Sequence, residues 1–387
     1  MKSNVAYNNI AIVGGGLVGR LLAWRLASIA QENTPAGVFQ DNGISSAKIS
    51  LFEKGSLNPS LSQCDKAAAC TAAAMISPIS ELVESEIEIY QLGMKSLQLW
   101  PNWLKTLGSL QHFHQCGSLV LAHPSDTNEL QQFKRDLAYK LHSQADASQL
   151  QVLADRRQLE ELETSISAQF KNGLYLPSEA HIDHHEVLKD LVLQATKLGV
   201  QFHQNTTLEP NDDALKEFDL IFDCRGFGLR RTDLNESATD TIRGVRGEVI
   251  RLECKDVILK RPIRLMHPRY KLYIVPKPNQ QFIIGATEIE SEDRSSISLR
   301  SSMELMSALY ALNPAFAEAR IISQDSNLRP AYMNNLPRID RVQSTHGKPV
   351  IRINGLYRHG YLIAPAMIER ALKTLDIKED TPHENHH

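Results

Sequence analysis

Gly14, Gly16 and Gly19 fall on a G-x-G-x-x-G spacing directly behind the apolar run Asn9-Ile-Ala-Ile-Val13. That combination is suited to holding a pyrophosphate. Gly14 permits a tight strand-to-helix turn, Gly16 lets backbone approach phosphate with no Cβ in the way, and Gly19 lets the next helix pack close to the strand. The phosphates then meet free N–H groups at the positive end of that helix. A carboxylate is needed beyond it, to take the hydroxyls of an adenosine ribose. Glu53 stands where such an acid belongs, at the end of a second strand-like run, Lys48–Phe52. Residues 31–47, rich in Asn, Gly, Ser and Pro, lengthen the interval between glycines and acid and read as an inserted surface loop.

The elements that must position these residues follow from pattern. Ile10, Ile12 and Val13 are β-branched and suit a buried parallel strand, and Leu21, Leu22, Trp24, Leu26 and Ala27 supply a helical apolar face. Residues 70–75 (Cys-Thr-Ala-Ala-Ala-Met) have side chains small enough for backbone to lie against a flat ring, and Ser77-Pro78 reads as a turn after them. Residues 85–107 have helical spacing and begin a different region; residues 128–142 read as a solvent-exposed helix with charge spread around it. Strands are expected at 117–123, 200–203 and 220–224, the last ending in Gly226 and Gly228, where a glycine turn belongs at a cofactor crevice. Residues 245–252, 272–275 and 281–285 predict a mostly antiparallel sheet, residues 299–312 a helix, residues 350–353 a strand and residues 366–375 a final helix.

Composition narrows the classes. A chain of 387 residues with 42% hydrophobic content can fill two or three cores. A net charge of −3 with scattered Lys and Arg argues against bulk attraction to nucleic acid, and no apolar run has the length of a membrane span, which points to the cytoplasm. Cys64, Cys70, Cys116, Cys224 and Cys254 form no C-x-x-C pair and read as buried thiols of a reducing compartment. His181, His184 and His185 read as polar residues at the start of a helix, 187–198, capped by Asp183. Their spacing matches no metal site, and no metal is expected.

Several separated pieces then agree with one family. Gly14-Gly-Gly-Leu17-Val18-Gly19, Glu53-Lys54, the small-residue run with Ala73, Ala74 and Met75, Arg246-Gly-Glu248, Gly285-Ala-Thr287, Leu328-Arg-Pro330 and Tyr357-Arg-His-Gly-Tyr-Leu-Ile-Ala-Pro365 occur in this order. In that order the chain resembles the FAD-dependent D-amino acid oxidases, and among them the bacterial glycine oxidases associated with thiamine synthesis. The resemblance implies an α/β fold: a Rossmann-like FAD-binding domain of discontinuous segments (1–84, 165–240 and 326–377) and an α+β substrate-binding domain with a mostly antiparallel sheet (85–164 and 241–325). Residues 378–387 are left as a flexible tail. It implies noncovalent FAD, since no cysteine lies beyond Cys254 to serve as a thioether donor.

Residue by residue, Arg329 is similar in place to the arginine that pairs with a substrate carboxylate, a role its planar fork suits. Tyr273 matches a tyrosine that supports the carboxylate, and Arg358 a second arginine near the site. Gly226, His359, Gly360, Tyr361 and Leu362 fall at flavin contacts, with the helix after Gly360 aimed to favour an anionic reduced ring. Glu288 stands where glycine oxidases have an apolar residue; there a carboxylate would attract an amine or point away. The implied reaction is hydride transfer from a small amino acid or amine (glycine, sarcosine or a D-amino acid) to FAD. It gives an imine or 2-oxo acid and, with O2, hydrogen peroxide, and the family suggests a homo-oligomer. A second reading is a flavoprotein acting on a side chain of a partner protein or an amine on tRNA, for which residues 85–107 and the polar helix after them would wall an open groove.

Overall fold

The computed structural model describes residues 7–31, 47–58, 66–142, 151–153, 155–229, 241–266 and 272–375. Most of the inserted loop, Cys64 and the tail at 378–387 lie outside them.

The first sheet has the order β16-β17-β10-β1-β2-β9. Its strands are β1 (Asn9–Val13), β2 (Lys48–Phe52), β9 (Gln201–His203), β10 (Leu220–Asp223), β16 (Arg338–Gln343) and β17 (Pro349–Asn354). All neighbours run parallel except the β16 edge. Alternate residues of β1 face opposite ways, as a pleat demands: Ile10 and Ile12 join the larger core, Ala11 and Val13 a smaller one with Ile221 and Val350. The larger core is covered by α1 (Leu17–Gln31), α4 (Ile87–Leu107), α7 (His184–Lys197) and α9 (Gly360–Lys373). Thus α4, which the sequence reading assigns to the substrate-binding segment 85–164, packs on α9 and shares the core of the first sheet. The division at 84/85 does not follow its packing.

The second sheet has the order β15-β11-β14-β13-β12-β5-β7-β6. It comprises β5 (Ser118–Ala122), β6 (Gln151–Leu153), β7 (Gly173–Leu176), β11 (Arg243–Glu253), β12 (Ile263–Met266), β13 (Leu272–Lys277), β14 (Gln281–Gly285) and β15 (Arg320–Ala331). Every pairing is antiparallel except β12 with β5. Leu272 and Ile274 pack under α8 (Leu299–Leu312), whereas Tyr273 and Val275 point to the other face with Ala73 and Met75. β7 lies in this sheet although the boundary at 165 placed it with the first, and β15 carries residues on both sides of the boundary at 326. α5 (Thr127–His142) buries Leu130, Phe133, Leu137 and Leu141, so the expectation of charge all around it is corrected: a polar surface hides one apolar stripe. α6 (Arg156–Leu162) adjoins β6, with the Asp155 side chain accepting from Gln158 N at its start.

A small sheet, β3-β8-β4, joins Met75–Ile76, Ala180–Ile182 and Phe113–His114. Two further corrections lie beside it. The small-residue run opens with a single helical turn, α2 (Ala68–Thr71), and Ser77-Pro78 starts another, α3 (Pro78–Glu81), because proline at the first helical position needs no N–H partner. Asp183 precedes α7 but its side chain makes no cap hydrogen bond; its carboxylate is taken by His114 instead.

Candidate active site

Both sheets border a cavity of about 850 Å³. At one end β1 turns into α1. Gly14 has φ +105°, and a Cβ there would meet Cys224 O at 2.5 Å; at Gly16 the nearest atom to such a Cβ is Ala67 Cβ at 3.7 Å, so the space over Gly16 is open. Gly14, Gly16, Leu17 and Val18 line the cavity. Gly19 does not, and lies against the Gly14 carbonyl, as close helix–strand packing requires. Glu53 and Lys54 line the same end. Gly15 N donates to Glu53 Oε2 at 2.5 Å and Gly55 N to Oε1 at 3.1 Å, which fixes the acid at the strand end. Sequence reasoning missed Thr206, Thr207 and Leu208, which complete this end from the loop after β9. The strand there is only three residues long, and its loop carries no glycine signal.

The middle wall is Ala73, Ala74 and Met75, with Gly226 across from them. Lys277 Nζ donates to Ala73 O at 2.8 Å and to Ile182 O at 2.6 Å, tying this wall to β8. Burial pushes its ammonium down to about 7. The N-terminus of α9 closes the wall: Gly360, Tyr361 and Leu362 line the cavity, and a Cβ on Gly360 would meet nothing within 4 Å. This helix begins six residues before the predicted start at Ala366, because Tyr357–His359 form a 3-10 turn that leads directly into it.

The far end gathers Arg329, Tyr273, Arg358 and Glu288, all lining the cavity. Arg329 sits on β15 opposite Val245, and its guanidinium lies across Gly247, whose missing side chain leaves the room. Arg329 Nη2 donates to Thr287 O at 3.0 Å and Nη1 to Arg246 O at 3.3 Å. Its hydrogen-bond partners among the described residues are thus neutral carbonyls. Tyr273 pairs with Gly285, which makes room for its ring. Burial pushes the Tyr273 phenol up, opposed by Arg329, so the hydroxyl is protonated at neutral pH.

Arg358 is held differently. Its guanidinium meets Glu84 at 2.9 Å and both Glu81 and Glu288 at 3.0 Å. Glu81 also takes Arg264 at 2.5 Å. Burial alone would raise the Glu81 carboxyl, but Arg358 and Arg264 outweigh it and hold it well below the usual carboxylate range. Burial would likewise raise Glu288, yet the Tyr357 hydroxyl, Arg358 and Arg329 keep it ionised. Glu81, Glu84 and Arg264 were not read from sequence, and Tyr357 was named only as the start of its motif. They come from three distant segments, and no local spacing joins them.

His359 is buried, and burial depresses it to about 4, against the pull of Glu81. An unfolded chain has this group near about 6.5. Between those values the unfolded state binds a proton that the folded state refuses, so stability is expected to fall as pH drops from about 6.5 to about 4. His359→Asn should flatten that slope in urea midpoints measured across the range. An unchanged slope would assign the acid sensitivity to other groups.

The glycine turn and acid, a wall of small residues and a pocket holding Arg329 beside the Arg358–glutamate cluster match an oxidoreductase of the two-sheet, dinucleotide-binding class. The family description FAD dependent oxidoreductase (DAO) matches residues 9–371, and the chain belongs to that family. It is 34% identical over 311 residues to a Rhizobium etli protein described as a thiamine biosynthesis oxidoreductase ThiO, covering 80% of this chain and 86% of that one. Its fold is similar to glycine oxidase from Bacillus cereus (TM-score 0.74, 19% identity, 97% of this chain and 99% of that one). It is similar also to iminodiacetate oxidase from Chelativorans sp. (TM-score 0.72, 17% identity, 97% of each). The open space over Gly16, the cavity of about 850 Å³ and the residues of two helix N-termini that line it, Leu17 and Val18 of α1 and Gly360, Tyr361 and Leu362 of α9, fit FAD.

The helix at 85–107, offered as a wall for a macromolecular substrate, contributes no residue of Ile87–Leu107 to the cavity lining. As α4 it buries Ile89, Leu92, Trp100 and Leu104 in the first core, because its apolar stripe needs α9 for cover. Of the cysteines, Cys70, Cys224 and Cys254 are buried as expected, but Cys116 is half-buried.

Proposed function

We propose that this protein is an oxidase of a small amino acid or amine, with glycine, sarcosine or a D-amino acid as the substrate class. The observation that carries this reading is the Arg329 guanidinium, set in the cavity and met only by neutral carbonyls among its described hydrogen-bond partners. A half-buried guanidinium whose hydrogen bonds go to carbonyls rather than to a carboxylate favours an anion from outside, and a forked donor favours a carboxylate. The protonated Tyr273 hydroxyl, close enough to feel Arg329, supplies a second donor. Bound FAD supplies the hydride acceptor.

The chain's own contribution is orientation. Arg329 fixes the carboxylate, the wall of small residues leaves a flat face open, and the Arg358–Glu288 pair limits how long the substrate can be. Glu288 is ionised and half exposed on the cavity lining, and a carboxylate there favours an amine over a second carboxylate in the substrate. The thiamine role named for the Rhizobium etli relative is compatible with glycine as substrate.

The assay is direct. Purified protein should be yellow, should bleach anaerobically with glycine or sarcosine, and should form peroxide when air is admitted. A yellow protein that none of glycine, sarcosine or D-amino acids bleaches would remove this substrate class.

A further inference from the structure

Away from the reaction site, the small sheet brings together residues to which nothing above gives a role. His114 on β4 pairs with His181 on β8, and their rings lie 4.8 Å apart at 26°. Asp183, two residues beyond His181, places Oδ2 2.8 Å from His114 Nε2. One donor atom from each of the three residues lies within 4.8 Å of the other two. His112 Nδ1 stands 3.7 Å from the same carboxylate oxygen.

Two of these groups have spare capacity. His181 Nδ1 and Asp183 Oδ1 are buried and have no hydrogen-bond partner among the described residues. His181 is 4% exposed and Asp183 5%. Burying polar atoms unpaired is unfavourable, so a group that engages them is favoured there. The His114 side chain is 38% exposed, which gives an ion a way in.

We propose that His114, His181 and Asp183 form a site for one divalent transition-metal ion of the zinc type. Two imidazoles and one carboxylate suit borderline ions such as Zn²⁺, Co²⁺ or Ni²⁺ better than Mg²⁺ or Ca²⁺, which prefer all-oxygen shells. His112 is near enough to serve as a fourth donor after a side-chain rotation, and water takes any position left. The ion would tie β4 to β8 and to the start of α7, and so stabilise the sheet whose third strand, β3, contains Met75 of the cavity wall. The site escaped the sequence reading, which named His181, His184 and His185 together. His184 faces the core, and the missing ligand comes from a strand far upstream.

The test uses the FAD-loaded protein after chelator treatment, with ZnCl2 in equilibrium dialysis and thermal unfolding. His383, His386 and His387 in the tail are replaced by alanine in a control, since a His-rich tail chelates metal by itself. One zinc per chain and a raised Tm are expected, retained in the tail control and weakened by about tenfold or more in His114→Ala. If His114→Ala loses FAD and so reports misfolding, Asp183→Asn takes its place. No stoichiometric zinc, loss of binding in the tail control, or unchanged affinity in the folded site variant would overturn the proposal.

Discussion

Arg329→Ala is expected to lower kcat/KM for glycine or sarcosine by roughly 10²- to 10³-fold, or about 3–4 kcal/mol, mostly through KM. The guanidinium is positioned by Thr287 O and Arg246 O, not by an acid that would compete with substrate. On the proposed reading, its removal takes away the carboxylate's main partner and leaves the rest of the cavity lining in place. Arg329→Lys keeps the charge but not the fork, and should recover only part of the loss. FAD content is the control, because Arg329 lies at the opposite end from Gly14 and Glu53. A variant with full FAD and unaltered kinetics would take Arg329 out of substrate binding.

The second large effect is on stability. Glu81→Gln should destabilise the protein by about 3–5 kcal/mol, because it leaves Arg264 and Arg358 short of a shared buried partner. Urea unfolding at pH 7 measures it. The pH dependence has a definite sign. The folded Glu81 carboxyl is held well below its usual range, whereas the unfolded one titrates near about 4.3. Its contribution is therefore complete above about pH 5 and is lost as pH falls through the unfolded value toward the folded one. The difference between wild type and Glu81→Gln should shrink over that interval. A difference that stays constant down to pH 3 would show that packing, not charge, is what the substitution removes.

Legibility followed the range of the physical signal. The β1 turn was plain from sequence because strand, glycines and helix are contiguous, and each glycine answers a local demand for φ or space. β15 was not read as a strand, although it carries Arg329. Its Ser323, Gln324, Asp325, Ser326 and Asn327 show no alternation, and the ladder with β11 holds it extended. Arg329 was found only through its resemblance motif. The acids around Arg358 were invisible for a further reason: Glu81 and Glu84 belong to no motif, and only the return of the chain at residue 358 gives them their shared arginine. The same holds for α4, whose partner α9 lies at the far end of the chain.

The order of strands in the first sheet has a consequence for synthesis. β1 and β2 emerge early, but β10 comes only past the middle of the chain, and β17 and the helix α9 that closes the cavity come later still. A nascent chain lacking the stretch after residue 349 lacks the cover that α9 gives the larger core and has no complete cradle. The cradle therefore cannot close before residues 349–373 have been made, and its dependence on contacts of long sequence separation slows its formation.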